Sequence, residues 1–390
     1  MRDGFRVMDV DRHVMEPLGM WEQYLPAGMR EYAPRLTPLE PRTESMGGRL
    51  ARLGEYALLP PPLILAVGGE PLMLNVSDAA TIETGTVAER RRSLLSSAET
   101  PEGQLAEMDA TGVDVAVMLP TFAPFLVYND AISAERSRAY AHAYNRWLRD
   151  FCAVAPDRLW GAALLSRHDP DAMVADLEQA LAGGMRAVVL RPNPVQGLMV
   201  SAPQYRRFWQ ACEHHSATVL FHEGTHTRVA TVGADRFTSH FGQHACSHPM
   251  EAMMALLALI EGGVLEARPG VRVGFLESGC GWLPYWLWRL DHMEYGQLKG
   301  EVRARVKMPP SEYFRRQCWI ALEPSEALLS EAVQQITAAR VVFGTDFPHL
   351  DHGPEIVDEV FARRHALGDA ALRAVLWDSA CALMGVPSGP

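Results

Sequence analysis

The stretch MDVDRHVMEP, Met8 to Pro17, places Asp9, Asp11, His13 and Glu16 within eight positions of one another. All four are residue types that ligate metals or move protons. An Asp-x-His pair in an extended chain points both side chains to the same side, so Asp11 and His13 can reach a common ion. Further along, His222 is followed by Glu223 and His226, Glu277 closes another apolar run, and Asp346 is followed by His349. Two imidazoles and two carboxylates form a donor set for Zn²⁺ or a similar divalent ion, with one position left for water or substrate. Singly, each residue has an ordinary structural reading: Asp11 as a turn cap, His13 as a hydrogen-bonded loop histidine, Asp346 as a helix N-cap. Their recurrence at the ends of separate apolar runs favours a shared site.

Those runs are the elements that must do the positioning. Short apolar, β-branched segments are expected as strands at 5–10, 113–119, 159–165, 186–191, 217–222, 271–277, 318–323 and 340–346. Helical segments separate them. TPEGQLAEMDAT opens with Thr100 as cap and Pro101 at the first position, and DPDAMVADLEQALAGG ends on glycines. AERSRAYAHAYNRWLRDFCAVAP, APQYRRFWQACEHHS and HPMEAMMALLALIEGGVLEARPG continue the alternation, with His248 read as opening the last of these. Eight β/α units predict an α/β fold, a closed (β/α)8 barrel, whose active site lies at the C-terminal ends of the strands. A doubly wound open sheet is the alternative, but no G-x-G-x-x-G follows the first strand. The whole chain, 1–390, is read as one barrel domain with an insertion at 30–100 after the first strand, carrying a hairpin in LILAVGGEPLMLN. A second irregular piece is expected at 292–316.

Composition narrows the function. The chain has 390 residues, 48% hydrophobic and 21% charged, and a net charge of −11 with no basic run, which argues against nucleic acid as a partner. The charged N-terminus reads as no export signal, and prolines or Glu261 interrupt the apolar stretches before membrane-spanning length. A cytoplasmic location and no membrane partner are therefore expected. The six cysteines form no C-x-x-C pair, which suggests free thiols. There are only two lysines, Lys299 and Lys307, and neither lies near a strand end, which disfavours Schiff-base chemistry.

DVDRHVMEP, LFHEG, HPMEAMMALLALIEGGVLEARPGVRVGFLESGCGWLPYWLWRLD and FGTDFPHLD, in this order, resemble the amidohydrolase-related branch of the amidohydrolase superfamily. That branch includes metal-dependent, non-oxidative decarboxylases of aromatic and unsaturated acids such as aminocarboxymuconate semialdehyde decarboxylase. The resemblance covers nearly the whole chain outside 30–100, and is more specific for the family than for the reaction. It implies metal ligands at Asp11, His13, His222 and Asp346, a homodimer, and one metal ion rather than two, because strand 4 lacks the lysine that bridges dinuclear members. Zinc is the first candidate, with manganese or iron as alternatives.

The sequence departs from the family pattern in two places. The first pair is Asp-x-His where the family commonly has His-x-His or Glu-x-His, a shorter carboxylate that should still ligate. Strand 6 ends in FLESG, so Glu277 stands where the family carries a histidine that serves as acid or base. A glutamate can move protons if burial raises its pKa, but it cannot be a cationic imidazole. His226 or His248 could supply one, although a histidine before Pro249 is also an ordinary helix-start residue. Arg191 and Arg167 are placed at the pocket mouth to bind a substrate carboxylate, or else in an internal ion pair with Asp169 or a neighbouring glutamate. Trp282, with Trp286 and Trp288, lines an aromatic pocket or packs in the core or a dimer contact. Asp9 is read as structural within the strand, and Glu16 as a support residue in the loop before Pro17.

These readings give a single-metal enzyme for a small carboxylated, aromatic or conjugated substrate. Decarboxylation is the first reading, with Asp346 or Glu277 delivering the proton. The alternative is metal-dependent hydrolysis of an ester, lactone or amide. A third reading is a non-catalytic binding or assembly barrel, motivated by the missing strand 6 histidine and opposed by retention of all four ligands.

Overall fold

The computed structural model describes residues 2–38, 63–67, 70–71, 93–224, 229–349 and 355–389. Eight parallel strands follow one another in chain order around a barrel: β1 (Met8–Val14), β5 (Val115–Pro120), β6 (Leu159–Leu164), β7 (Ala187–Leu190), β8 (Thr218–Phe221), β9 (Arg272–Phe275), β10 (Cys318–Ala321) and β11 (Val341–Val342). The segment after β11 returns to β1. Val10 N donates to Phe343 O at 3.0 Å, Asp346 N to Asp11 O at 2.8 Å and His13 N to Phe347 O at 2.7 Å. The expected (β/α)8 barrel is therefore the observed fold. Continuous burial along the strands fits a parallel sheet covered by helices on its outer side.

Outside the barrel, β2 (Arg35–Pro38), β3 (Leu63–Val67) and β4 (Glu70–Pro71) form a small antiparallel sheet. The β3–β4 pair is the beginning of the hairpin expected in LILAVGGEPLMLN; most of the remaining 30–100 insertion lies outside the described residues.

Three expectations are corrected. The first strand runs from Met8 to Val14 rather than 5–10, so Asp11 and His13 lie within it and not beyond it. Its register against β5 slips between Asp9 and Arg12, a bulge of the kind that re-aims side chains beside active sites. The segment 292–316 is mostly helical: the helix Leu283–Arg289 continues through a wider turn at Leu290–Tyr295 into Gly296–Val302, and Pro310–Gln317 follows. Finally, His248 does not open its helix, which spans His240–Glu261 with Pro249 inside it. The start signal is Ser239, whose hydroxyl accepts from Gly242 N at 3.2 Å. By contrast, the helix Pro101–Thr111 begins as read, with the Thr100 hydroxyl accepting from Gly103 N at 3.1 Å.

Candidate metal centre and active site

Side-chain alternation along β8 sets the first imidazole. Phe221 packs outward on Trp209, ring centroids 6.4 Å apart, so the next residue, His222, turns into the barrel mouth. On β1, Asp11 and His13 share one face as their spacing requires. Asp346 joins them from the turn after β11, held there with a left-handed backbone at φ 51°. Gly344 makes this approach feasible, because a Cβ there would come within 2.4 Å of Asp11 Cβ.

One ligand atom from each of Asp11, His13, His222 and Asp346 lies within 4.8 Å of the other three, and all four residues are buried. His13 Nε2 is 3.0 Å from His222 Nε2 and 3.3 Å from both Asp11 Oδ1 and Asp346 Oδ1. His222 Nε2 is 3.4 Å from Asp11 Oδ1. Ligands held about 2.1 Å from a common ion are separated by about 3.0–3.5 Å, which matches these four separations.

Tautomers sharpen the test. His13 Nδ1 donates to Pro120 O at 2.8 Å and His222 Nδ1 to Glu223 O at 2.7 Å. Carbonyls only accept, so each Nδ1 carries a proton, and each ring in its neutral, ligating form presents an Nε2 lone pair to the other. Asp11 Oδ1, buried between them, accepts no hydrogen bond. A single proton could bridge one pair of these atoms, whereas a divalent cation satisfies all four. The residues therefore fit a metal ion.

The electrostatics of the two imidazoles differ. Burial, with His349 nearby, pushes His13 down to about 3, so the ring stays neutral. Burial opposes ionisation of Asp11, but His222 and His13 hold its carboxyl well below the ordinary range. For His222, burial opposes the charged ring while Asp11 and Glu277 raise its pKa.

Glu277 stands beside the four. Its Oε2 is 3.1 Å from His222 Nε2 and 3.3 Å from His248 Nε2. Its backbone is also left-handed, φ 43°, a conformation that costs energy for a glutamate and is typical of functional turns. The loop behind it is tied down by Glu326, whose carboxylate accepts from Cys280 N at 3.0 Å and Gly281 N at 2.7 Å. Burial would raise Glu277, but His248 and His222 hold it well below the ordinary carboxylate range. Burial likewise opposes the charged form of His248, and the Glu277 carboxylate carries it up to about 9.

Arg191 is buried next to this group, with Nη1 donating to His222 O at 3.1 Å and Nε without a hydrogen-bond partner. It lines a cleft with His222, Pro120 and Tyr128. Arg167, expected at the same mouth, is not there. Its Nη1 donates to Arg191 O and Asn193 O and its Nη2 to Leu198 O, at 2.5–2.9 Å, with no ion pair to Asp169 among the described residues. Leu198 O also accepts from Val195 N at 3.1 Å, and the five-donor guanidinium gathers all three carbonyls of the turn after β7. Trp282 is half-buried and its Nε1 donates to Ser278 O at 2.9 Å, next to Glu277 in sequence, whereas Trp288 is exposed. His226 lies outside the described residues.

Asp9 is structural as read: it accepts from Thr345 N at 2.9 Å and Thr345 Oγ1 at 2.6 Å, clamping β1 to the turn that carries Asp346. Glu16 accepts from the backbone N–H groups of Phe122 and Ala123, each at 2.9 Å. Three supports escaped sequence reading: Gln104, which links Arg12 Nε to His13 O, with Thr345 and Glu326. Thr345 adjoins Asp346, a signal available in the sequence; Gln104 and Glu326 carry none.

Comparison with known proteins places this geometry in context. The family model described as Amidohydrolase matches residues 78–386. A gamma-resorcylate decarboxylase of Rhizobium radiobacter is 27% identical over 274 residues, 65% of this chain and 78% of that one. Among solved structures, an amidohydrolase from Mycobacterium avium subsp. paratuberculosis superposes with a TM-score of 0.75 at 19% identity, covering 98% of this chain and 100% of that one. The 5-carboxyvanillate decarboxylase of Novosphingobium aromaticivorans, complexed with manganese and a hydroxy-methoxy-nitrobenzoic acid, gives 0.69 at 17% identity, covering 99% and 97%.

Proposed function

The chain belongs to the amidohydrolase family as a metal-dependent enzyme, and from that premise we propose that it decarboxylates a small aromatic or conjugated carboxylic acid without an oxidant. The observation that carries this reading is the convergence of two imidazole lone pairs and two carboxylates beside a second, proton-holding pair, Glu277 and His248. The decarboxylase relatives support it.

Asp11, His13, His222 and Asp346 would hold one divalent ion, which when bound would supply positive charge toward a carboxylated substrate. Zinc suits the donor set best, with manganese or iron as the alternatives; the manganese in the carboxyvanillate enzyme supports the second choice. Arg191 adds a fixed positive charge at the same mouth and orients the carboxylate. The C–C bond breaks with its electron pair left on the ring carbon, a proton arrives there, and CO₂ departs. His248, charged at neutral pH, stores that proton and passes it through Glu277; Asp346 is the alternative donor. The helix after β8 thus contributes the imidazole that the end of β9 lacks.

Hydrolysis would use the same residues on a water molecule. CO₂ release from a panel of hydroxybenzoates and muconate-type acids decides between them, and activity confined to esters or lactones would reject decarboxylation. Asp346→Asn should abolish activity in a folded protein; an unchanged rate would remove the site assignment.

A further inference from the structure

The geometry points to Glu223 as the positioning residue of His248, a buried carboxylate that keeps the Nδ1–H edge of this imidazole engaged so that Nε2–H stays on Glu277. The inference rests on the proposed role of His248 as the proton store.

Glu223 is 2% exposed and follows a metal ligand directly. Its backbone carbonyl takes the His222 Nδ1 proton, and its Oε1 is fixed by Asn193 Nδ2 at 3.1 Å. The other oxygen, Oε2, is buried and accepts no hydrogen bond, yet it stands 3.9 Å from His248 Nδ1. On the opposite edge of the ring, Nε2 meets Glu277 Oε2 at 3.3 Å. His248 is thus flanked by two carboxylates, one on each nitrogen, of which Glu223 is buried and Glu277 partly exposed. The remaining groups that face it are His244, with ring centroids 4.9 Å apart, the Arg191 charge, and the Ser247 hydroxyl, 3.2 Å from Nδ1.

The division of labour follows from chemistry. A proton store must keep its proton until the C–C bond breaks and regain it afterwards. An anion on the edge that does not exchange raises the basicity of the other nitrogen and fixes which nitrogen exchanges. Ser247 can accept from the same edge, but without charge it cannot favour the imidazolium in this way.

Three variants of the metal-loaded full chain test this: Glu223→Gln, Glu223→Asp and Ser247→Ala. The His248 resonance in histidine side-chain NMR is assigned by its loss in His248→Gln. In Glu223→Gln its titration midpoint should fall by about one unit or more; in Glu223→Asp and Ser247→Ala it should move by less than half of that. In Glu223→Gln, kcat should drop about 10–100-fold with little change in KM. Introduced into His248→Gln, Glu223→Gln should cost less than about twofold more, because its effect passes through His248. An unchanged midpoint in Glu223→Gln, or a midpoint that moves only in Ser247→Ala, overturns the inference. So does loss of the metal from Glu223→Gln and Glu223→Asp alike, which would make Glu223 a support of His222 instead. The NMR midpoint needs no substrate, so failure to release CO₂ from any acid would reject the reaction while leaving this inference to be judged by the titration.

Discussion

His13 and His222, 209 residues apart in the chain, aim their Nε2 atoms at each other across 3.0 Å while both Nδ1 protons are held by backbone carbonyls. Two lone pairs at this separation repel, and the nearby Asp11 and Asp346 carboxylates add negative charge. The barrel holds the two imidazoles together because β1 carries His13 and the end of β8 carries His222, and a bound cation would offset the repulsion.

Metal binding should therefore stabilise the fold measurably. At free metal about 100 times its dissociation constant, the gain is about 2.7 kcal/mol, visible as a higher Tm that a chelator reverses. His222→Ala and Asp11→Asn should each bind well under one equivalent by elemental analysis and lose the metal-induced rise in Tm.

The Glu277–His248 pair predicts a pH window for stability. His248 rises from 6.5 to about 9 on folding. Its contribution is complete below the unfolded value and is lost as pH climbs through about 9. Glu277 is held below its ordinary 4.5, so its share is present above that value and lost as pH falls through its lowered folded pKa. Denaturant unfolding of the metal-loaded protein should show stability declining from pH 6.5 to 9, and His248→Gln should flatten that decline. An equally steep decline in the variant would dissociate the pair from it.

Arg191 should act on substrate binding. Arg191→Met should raise KM for a carboxylated substrate about 10–100-fold, the range for losing a hydrogen bond to a charged group, with metal content unchanged. Gly224→Ala should partly reproduce this, since a Cβ there would come within 2.3 Å of the Arg191 guanidinium. A normal KM in both variants would remove Arg191 from the binding site.

Arg167 should behave differently. Its guanidinium serves three carbonyls in the β7 turn, of which Leu198 O keeps Val195 N as a second partner, so Arg167→Met should lower unfolding free energy by about 1–3 kcal/mol through loss of its bonds to Arg191 O and Asn193 O. A stable variant with a raised KM would restore it to the pocket mouth.

Much of the site was legible because its signals are local. Asp-x-His on one strand face and apolar runs that end in His222 and Asp346 need only the period of a β-strand to be read. The order of the eight strands was legible too, since each β/α unit lies next to its neighbour in the chain. Boundaries were less so: the extension that draws Asp11 and His13 into β1 comes from its pairing with β5 and the turn after β11. Pro249 looked like a helix start, but Ser239 caps the helix a few residues earlier and the helix accommodates the proline.

The sequence by itself determined the fold class and the four metal-site candidates, because strand alternation and donor chemistry are properties of short segments. Only the tertiary structure decided what surrounds them. It brought His248 onto Glu277, left one Glu223 oxygen facing that imidazole, and tied Arg167 to carbonyls while leaving Arg191 beside His222. Those outcomes depend on which polar groups remain unsatisfied once the barrel closes, and contacts between distant segments have no local signature in the chain.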